Sequence, residues 1–451
     1  MRKAGKGLIV ILLFLAAGAF TFPQEKIALT LDESIRLALS QNPFYLASQE
    51  KVDAAQSMVR EAASRFFPTL NGQGLHTLDE KLFVLEFPSM IPGQPPQRIS
   101  IDFTKDYQFA LSFSLPLFTG GRLVSGYNQA KYNLFSTQES RRQSKQDTVF
   151  NVTRAFYGYL LAKKFVEVAE EAVKLAEKHL DNVKNLYEVG MASKFDLLRS
   201  EVQVANLKPQ LIRARNSLNV AELSLKTLLG LELSQPVEIK GELIYQPFEA
   251  DAEESMDKAL ANRPEINQIR YQRQIAGEML KIVRASNYPS LAVGGSYNFW
   301  ADRLNFKENN WQSYYAINLV LTVPLFNGFS TSAQVGQSKA MIKEIEFTEK
   351  GLAEMIKFEV REAVLNLKQA KESLLSQEKN VEQAQESVRI AELNFSEGIA
   401  TTLDVSSAQM ALSQAKTNYS QALYDYVISR AQLDKAMGVD LEGMSAKENK
   451  E

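Results

Sequence analysis

The sequence predicts a mainly α-helical chain with a minor share of membrane-spanning β-structure, built as two internal repeats. Three observations carry this reading: a strand-to-helix junction that occurs twice, long helices with unbroken 3-4 apolar spacing, and alternating strands of the length a bilayer requires.

The junction first appears as "QFALSFSLPLFTGG", Gln108 to Gly121. Phe109, Leu111, Phe113, Leu115 and Leu117 share one face, against Gln108, Ala110, Ser112 and Ser114 on the other, and a long helical pattern follows. It returns as "INLVLTVPLFNGF", Ile317 to Phe329, with Pro324 placed 208 residues after Pro116. The same offset aligns "EVGMASKFD" (Glu188 to Asp196) with "SEGIATTLD" (Ser396 to Asp404), and Gly230 with Gly438. Upstream, "QNPFY" and "RFFPTL" match "NRPEI" and "SNYPSL" at an offset of 221. The difference of 13 residues predicts an insertion in the first copy, where "FPSMIPGQPPQR" (Phe87 to Arg98) reads as a proline-rich loop.

The N-terminus stands apart. Arg2, Lys3 and Lys6 precede an apolar run from Leu8 to Phe20, shorter than the roughly 20 residues of a spanning helix, so residues 1–22 read as a cleavable signal peptide. Removing those three cations from the 51 Lys and Arg leaves 48 against 53 acids, a net charge of −5, which argues against a nucleic-acid partner. There is no cysteine, and the two histidines, His76 and His179, are far apart, so neither a thiolate nor a histidine-based metal or catalytic site is expected, and no cofactor.

Repeat 1 is expected over 28–233, as a helix at 30–65, strands at 66–80 and 103–118, a long helix at 121–188 and a shorter one at 193–229. Repeat 2 is expected over 249–440, as a helix at 252–286, strands at 289–301 and 313–326, a long helix at 329–396 and a shorter one at 402–437. The long helices carry seams at 3-4 spacing, Tyr159 to Tyr187 and Leu367 to Phe395, and the shorter helices answer from Leu197 to Leu225 and from Val405 to Leu433. Alanine at many seam positions suits closely approaching antiparallel pairs, although seams alone fit a solvent-exposed rod equally well. A helix of about 66 residues spans roughly 100 Å. Pro209 predicts a bend in the shorter helix of repeat 1, where repeat 2 has Thr417.

Tyr107 to Leu117 is an 11-residue run with aromatic residues near its ends, the length of a tilted bilayer-crossing strand. The alternation by itself also fits a half-buried soluble sheet. If the strands cross lipid, four cannot close a barrel, and each unpaired backbone group of an open edge would cost several kcal/mol, so several copies must pool their strands. Pro116 and Pro324 are expected to end strand pairing, with Gly120, Gly121 and Gly328 turning the chain into the helix.

Taken together, the signal peptide, the duplication, "SLPLFTGG" with "TVPLFNGF", and the turns "VGMASKFDLLRSE" and "EGIATTLDVSSAQ" resemble the TolC-like outer-membrane efflux proteins. The resemblance covers Leu29 to Gly438. It implies a homotrimer whose 12-stranded barrel, four strands per chain, crosses the lipid of the outer membrane and continues into a periplasmic α-helical barrel. An equatorial belt would form from 231–252 and the tail 438–451. It further implies a passive duct of a tripartite efflux or type I secretion system, docked to a periplasmic adaptor and an inner-membrane transporter. A periplasmic coiled-coil adaptor or scaffold without a pore is the alternative; an enzyme is disfavoured, because no nucleophile, base or metal cluster is evident.

By the same resemblance the adaptor contacts would be Val189, Gly190, Met191, Ala192 and Ser193 in one copy, and Gly398, Ile399, Ala400 and Thr401 in the other. Ser193 and Thr401 or Thr402 also read as helix N-caps, a role compatible with contact. The family's narrowed tip would place Asp404 at the aperture, with Ser407 where a second acid can stand, Ala400 where a locking arginine can stand, and Asp196 in the matching first turn of repeat 1. Three Asp404 carboxylates on one axis would repel each other, attract cations and hold protons more tightly.

Overall fold

Strand alternation and heptad spacing give the chain two pairs of long helices, a four-stranded sheet and two small two-stranded ones. The computed structural model describes residues 27–78, 83–101, 107–306 and 311–439. The expected signal peptide lies outside these residues, as do 440–451 of the expected tail and parts of the expected loop between the first two strands. In chain order the elements are β1 (Ile27–Leu29), α1 (Leu31–Gln41), α2 (Pro43–Ser64), β2 (Thr69–His76), β3 (Phe83–Phe87), β4 (Gln97–Ile101), β5 (Tyr107–Phe118), α3 (Arg122–Glu188) and α4 (Lys194–Leu229). They continue with β6 (Val237–Ile239), α5 (Ala252–Asn262), α6 (Pro264–Ala285), β7 (Ser290–Ala301), β8 (Gln312–Thr322), α7 (Ser330–Ser396) and α8 (Thr402–Ala436).

The chain divides into two compact units. One takes the described residues from Ile27 to Gln41 together with Val152–Ile244 and Gln383–Ser420. There the seams close as antiparallel pairs: Val173, Ala176 and Val183 of α3 and Leu197, Val204 and Leu225 of α4 are all buried. Ion pairs Lys208–Glu177 (3.1 Å) and Arg215–Glu170 (2.8 Å) link α3 to α4, and Lys416–Glu171 (2.6 Å) links α8 to α3. The parallel two-stranded pair β1–β6, absent from the sequence reading, buries Leu29 and Ile239.

The other unit takes the described residues of Asn42–Asn151, of Tyr245–Glu382 and from Gln421 to Val439. Its core includes Phe150, Ile356, Val360, Leu374, Tyr426 and Leu433. The end of α8 is gripped by α3: Arg142 and Gln146 donate to the Gly438 carbonyl at 3.4 and 3.1 Å, and Lys435 pairs with Asp147 at 2.6 Å. Segment 245–248 lies against α8, with the Tyr426 hydroxyl donating to the Gln246 carbonyl at 2.7 Å.

The structure departs from the expected elements in three places. The single first helix expected in each copy is two helices of 11 and 22 residues, broken before Pro43 and before Pro264. Proline supplies no N–H and pushes the preceding residue out of helical conformation. Asn42 adopts that extended conformation and its side chain accepts from Phe44 and Tyr45 N–H. Second, the proline-rich insertion is the turn of an antiparallel hairpin, β3–β4, in which Glu86 faces Arg98. Third, Pro116 does not end pairing. Its ladder with β2 stops at Thr69–Ser114, whereas pairing with β7 passes Pro116 through a register shift before Phe118. A bulge accommodates the missing donor. In repeat 2 the ladder ends at Thr322, two residues before Pro324. Helix α4 continues through Pro209.

Candidate functional site

The sheet is antiparallel throughout, in the order β2-β5-β7-β8. Its centre joins the two repeats, and among the described residues its outer strands β2 and β8 each leave one edge unpaired. Register assigns every residue to a face, because directly opposed residues in antiparallel strands point the same way. One face reads Gly74–Phe109–Phe299–Ser313, Gly72–Leu111–Tyr297–Tyr315 and Leu70–Phe113–Gly295–Ile317 across the four strands. This face is apolar, and Ile317, Leu319 and Leu321 on β8 are exposed. Two of its three glycines are covered from the neighbouring strand, and only Gly72 is open: a Cβ on Gly295 would stand 2.4 Å from the Phe113 ring, and one on Gly74 would stand 3.1 Å from the Phe109 ring. The opposite face reads Leu75–Gln108–Trp300–Gln312, Gln73–Ala110–Asn298–Tyr314, Asn71–Ser112–Ser296–Ala316 and Thr69–Ser114–Gly294–Asn318. Not one of these side chains is charged.

Each half of the sheet feeds a long helix through a corner. Gly120 and Gly121 turn with φ of 63° and 88°, and a Cβ on Gly120 would fall 2.8 Å from Tyr288. In repeat 2 Gly328 turns with φ of 63°, but the next residue is Phe329, with φ of 64°. A non-glycine residue there is strained by roughly 1–2 kcal/mol. Its ring meets Phe326 edge-on at 5.5 Å and is well exposed.

At the far ends of the long helices the two turns use the same hydrogen bonds. Gly190 and Gly398 take left-handed conformations, φ of 80° and 76°. Met191 N–H donates to the Leu186 carbonyl and Ile399 N–H to the Asn394 carbonyl, both at 2.8 Å, while Gly190 and Gly398 donate to Tyr187 and Phe395 at 3.0 Å. This is the glycine-ended helix stop that requires a left-handed residue. The next helix then begins on a reciprocal cap. Asp196 N–H donates to Ser193 Oγ at 3.1 Å and Ser193 N–H to Asp196 Oδ2 at 3.3 Å; Thr401 and Asp404 repeat the arrangement at 3.3 and 2.8 Å. Thr401 is therefore the cap of α8, and Thr402 is buried.

Because the turns spend their polar groups on themselves, they present apolar side chains: Met191 is 78 % exposed and Ile399 71 %, with Val189 and Phe195 beside them. Asp404 is exposed, as is Ser407, whereas Asp196 is half-buried. Hydrogen bonds from the Thr401 hydroxyl and backbone hold the Asp404 carboxyl below its ordinary pKa. Within one chain the local effect thus runs opposite to the tighter proton holding expected of three clustered carboxylates.

A residue missed by the sequence reading lies in the same unit. His179 of α3 is 6 % exposed, its ring meets Phe395 of α7 edge-on at 5.0 Å, and its Nε2 has no hydrogen-bond partner. Burial lowers its pKa, with Glu392 acting weakly the other way. It sits beside the seam that was read, on a second buried face of α3.

A sheet greasy on one side and polar on the other, turned through two corners into long coiled helices, defines a subunit of a β-barrel membrane channel with a helical extension. The model of the outer membrane efflux protein family matches residues 34–231 and 256–439, and the chain belongs to that family. It is a TolC-like outer-membrane protein. It is similar to outer membrane protein TolC of Vibrio cholerae, 23% identical over 431 residues and covering 94% of each chain. It is also similar to alkaline protease secretion protein AprF of Pseudomonas aeruginosa, 25% identical over 360 residues, 76% of this chain and 74% of that one. Among solved structures, outer membrane protein VceC of Vibrio cholerae superimposes with a TM-score of 0.73 at 18% identity, over 91% of this chain and 96% of that chain. The outer membrane channel CmeC of Campylobacter jejuni gives 0.74 at 16% identity, over 93% and 88%.

Proposed function

We propose that three copies pool their strands into a 12-stranded barrel that serves as the passive exit duct of a tripartite efflux or secretion system. The observation that carries this reading is the open sheet with one apolar face. Its strand directions alternate, so β8 of one copy can meet β2 of the next antiparallel, and the ring closes without a parallel pair. Closure removes the unpaired edges that lipid does not tolerate.

The turns at Val189 to Ser193 and Gly398 to Thr401 then dock a periplasmic adaptor through their exposed apolar side chains, and the adaptor brings an inner-membrane transporter that supplies the energy. Asp404 and Ser407 of α8 and Asp196 of α4 stand in the first turns beyond those docking loops, where the aperture would narrow. The chain itself carries out no chemistry. Relatives named for protease secretion and for toluene or antibiotic efflux support a duct of this kind, and their diversity leaves the cargo to the transporter.

The test is a cysteine scan of 70–73 on β2 against 317–320 on β8. Disulfide ladders ending at three copies in outer-membrane vesicles are expected, together with single-channel currents in planar bilayers. A monomer that stays in the periplasmic fraction would instead support an adaptor or scaffold.

A further inference from the structure

At the end of the sheet farthest from the helical corners, aromatic residues occupy both faces. On the apolar face Phe109, Phe299 and Trp311 cluster with ring centroids 5.5 to 5.8 Å apart. An aromatic belt at the lipid–water boundary accounts for these. It does not account for Trp300 and Tyr314, which register places on the opposite, uncharged face.

Those two rings meet edge-on at 5.5 Å, with planes 64° apart. Trp300 Nε1–H donates to Gln312 Oε1 at 3.0 Å, which fixes the indole across the strand pair. Tyr314 remains 53 % exposed. Toward the corners the same face carries only serine, threonine, alanine, glycine and asparagine in the next two rows, so no packed interior there calls for bulk. Fixed rings on a wall whose paired residues are otherwise non-aromatic and uncharged offer a face and an edge to a flat apolar partner.

We propose that Trp300 and Tyr314 form an aromatic contact site on the inner wall near the outer mouth, where planar aromatic solutes dwell as they leave. The inference rests on the barrel reading above, since only closure makes this face the lumen. A solute without a ring finds nothing comparable on this wall and passes without pausing.

The experiment records single-channel currents of the reconstituted full-length protein in planar bilayers, with N-acetyltryptophanamide added on the side of the sheet's outer end and sucrose as the ringless control. Wild type is expected to show resolved blockades with the indole probe and none with sucrose. Trp300→Ala and Tyr314→Ser should each shorten the blockade by roughly tenfold, the effect of one lost aromatic contact, with open-channel conductance retained. Trp300→Phe, which keeps one aromatic ring but gives up the Gln312 bond and part of the ring area, should restore part of the dwell time lost in Trp300→Ala. Blockades of equal length in all variants, or equal blockades by sucrose, overturn the aromatic site while leaving the duct intact. Absence of any conductance from wild type overturns the duct, and the site with it.

Discussion

The last helix of each repeat buries an ionisable side chain four residues before its terminal glycine, and the two copies use opposite charges. In repeat 1 it is Lys226, 5 % exposed, with its Nζ 2.7 Å from Glu222 one turn back and 3.3 Å from the Leu233 carbonyl. In repeat 2 it is Asp434, 4 % exposed, with Arg430 one turn back at 4.0 Å and Oδ2 left without a hydrogen bond. The arrangement is mirrored, yet only one pair closes. Lysine has the reach to follow its partner to the surface, and a cation suits the negative end of a helix; the short aspartate has neither advantage. Burial accordingly pushes the Asp434 carboxyl up to about 6, Arg430 drawing it back only in part. Duplication has kept a buried position while exchanging which member of the pair occupies it.

The largest break in this comparison is expected from Glu222→Ala. It strands a buried ammonium, for a loss of roughly 3 kcal/mol in the unfolding of detergent-solubilised protein. Arg430→Ala, which removes only a distant partner of Asp434 and a stacking contact on the Phe248 ring, should lose less; equal losses would erase the distinction. Asp434→Asn should be stabilising by about 2 kcal/mol above neutral pH. An acid with a raised folded-state pKa contributes its stability below its ordinary value and loses it as pH rises through about 6, so the gain should vanish below about pH 4.

The corners sharpen the contrast at smaller scale. Phe329→Gly gives repeat 2 the glycine that repeat 1 has at Gly121, and should raise stability by about 1 kcal/mol through relief of left-handed strain. A loss of membrane anchorage in the same variant would show that the exposed Phe326–Phe329 pair is why the strain persists. The smallest effect concerns His179, whose counterpart at the 208-residue offset is Ser387. A histidine with a lowered folded-state pKa stabilises fully above its ordinary value near 6.5 and loses that contribution as pH falls below it. Melting temperatures should therefore fall between pH 7.5 and pH 5.5 by more in wild type than in His179→Gln.

Periodicity made one face of each helix readable and left the others dark. The seams from Tyr159 to Tyr187 and from Val405 to Leu433 follow from spacing alone, because apolar residues recur where a partner helix must lie. Lys226, Asp434 and His179 sit outside those seams, and polar residues give no periodic signal of burial, so nothing in the sequence marks them as enclosed. Within the sheet, Gly72 and Gly74 look like weak strand residues until register shows a neighbouring ring lying over Gly74. That compensation is tertiary. The breaks at Asn42 and Arg263 are legible in "QNPFY" and "NRPEI", since a proline keeps the residue before it out of helical conformation. The β3–β4 hairpin was hidden because its turn is rich in proline while its strands are only five residues each. At the turns, the sequence offered Ser193 and either Thr401 or Thr402 as caps, and showed neither which of the two threonines caps α8 nor that Asp404 would be engaged by its own cap.

The seam joining the halves of the sheet lies between β5 and β7, where Tyr107 pairs with Ala301. During export the first pair of strands therefore emerges long before the strand that must cover it, with its greasy side unguarded across the intervening helices. Any slowing of translocation between residues 118 and 290 should raise the yield of aggregated chains rather than of correctly inserted ones.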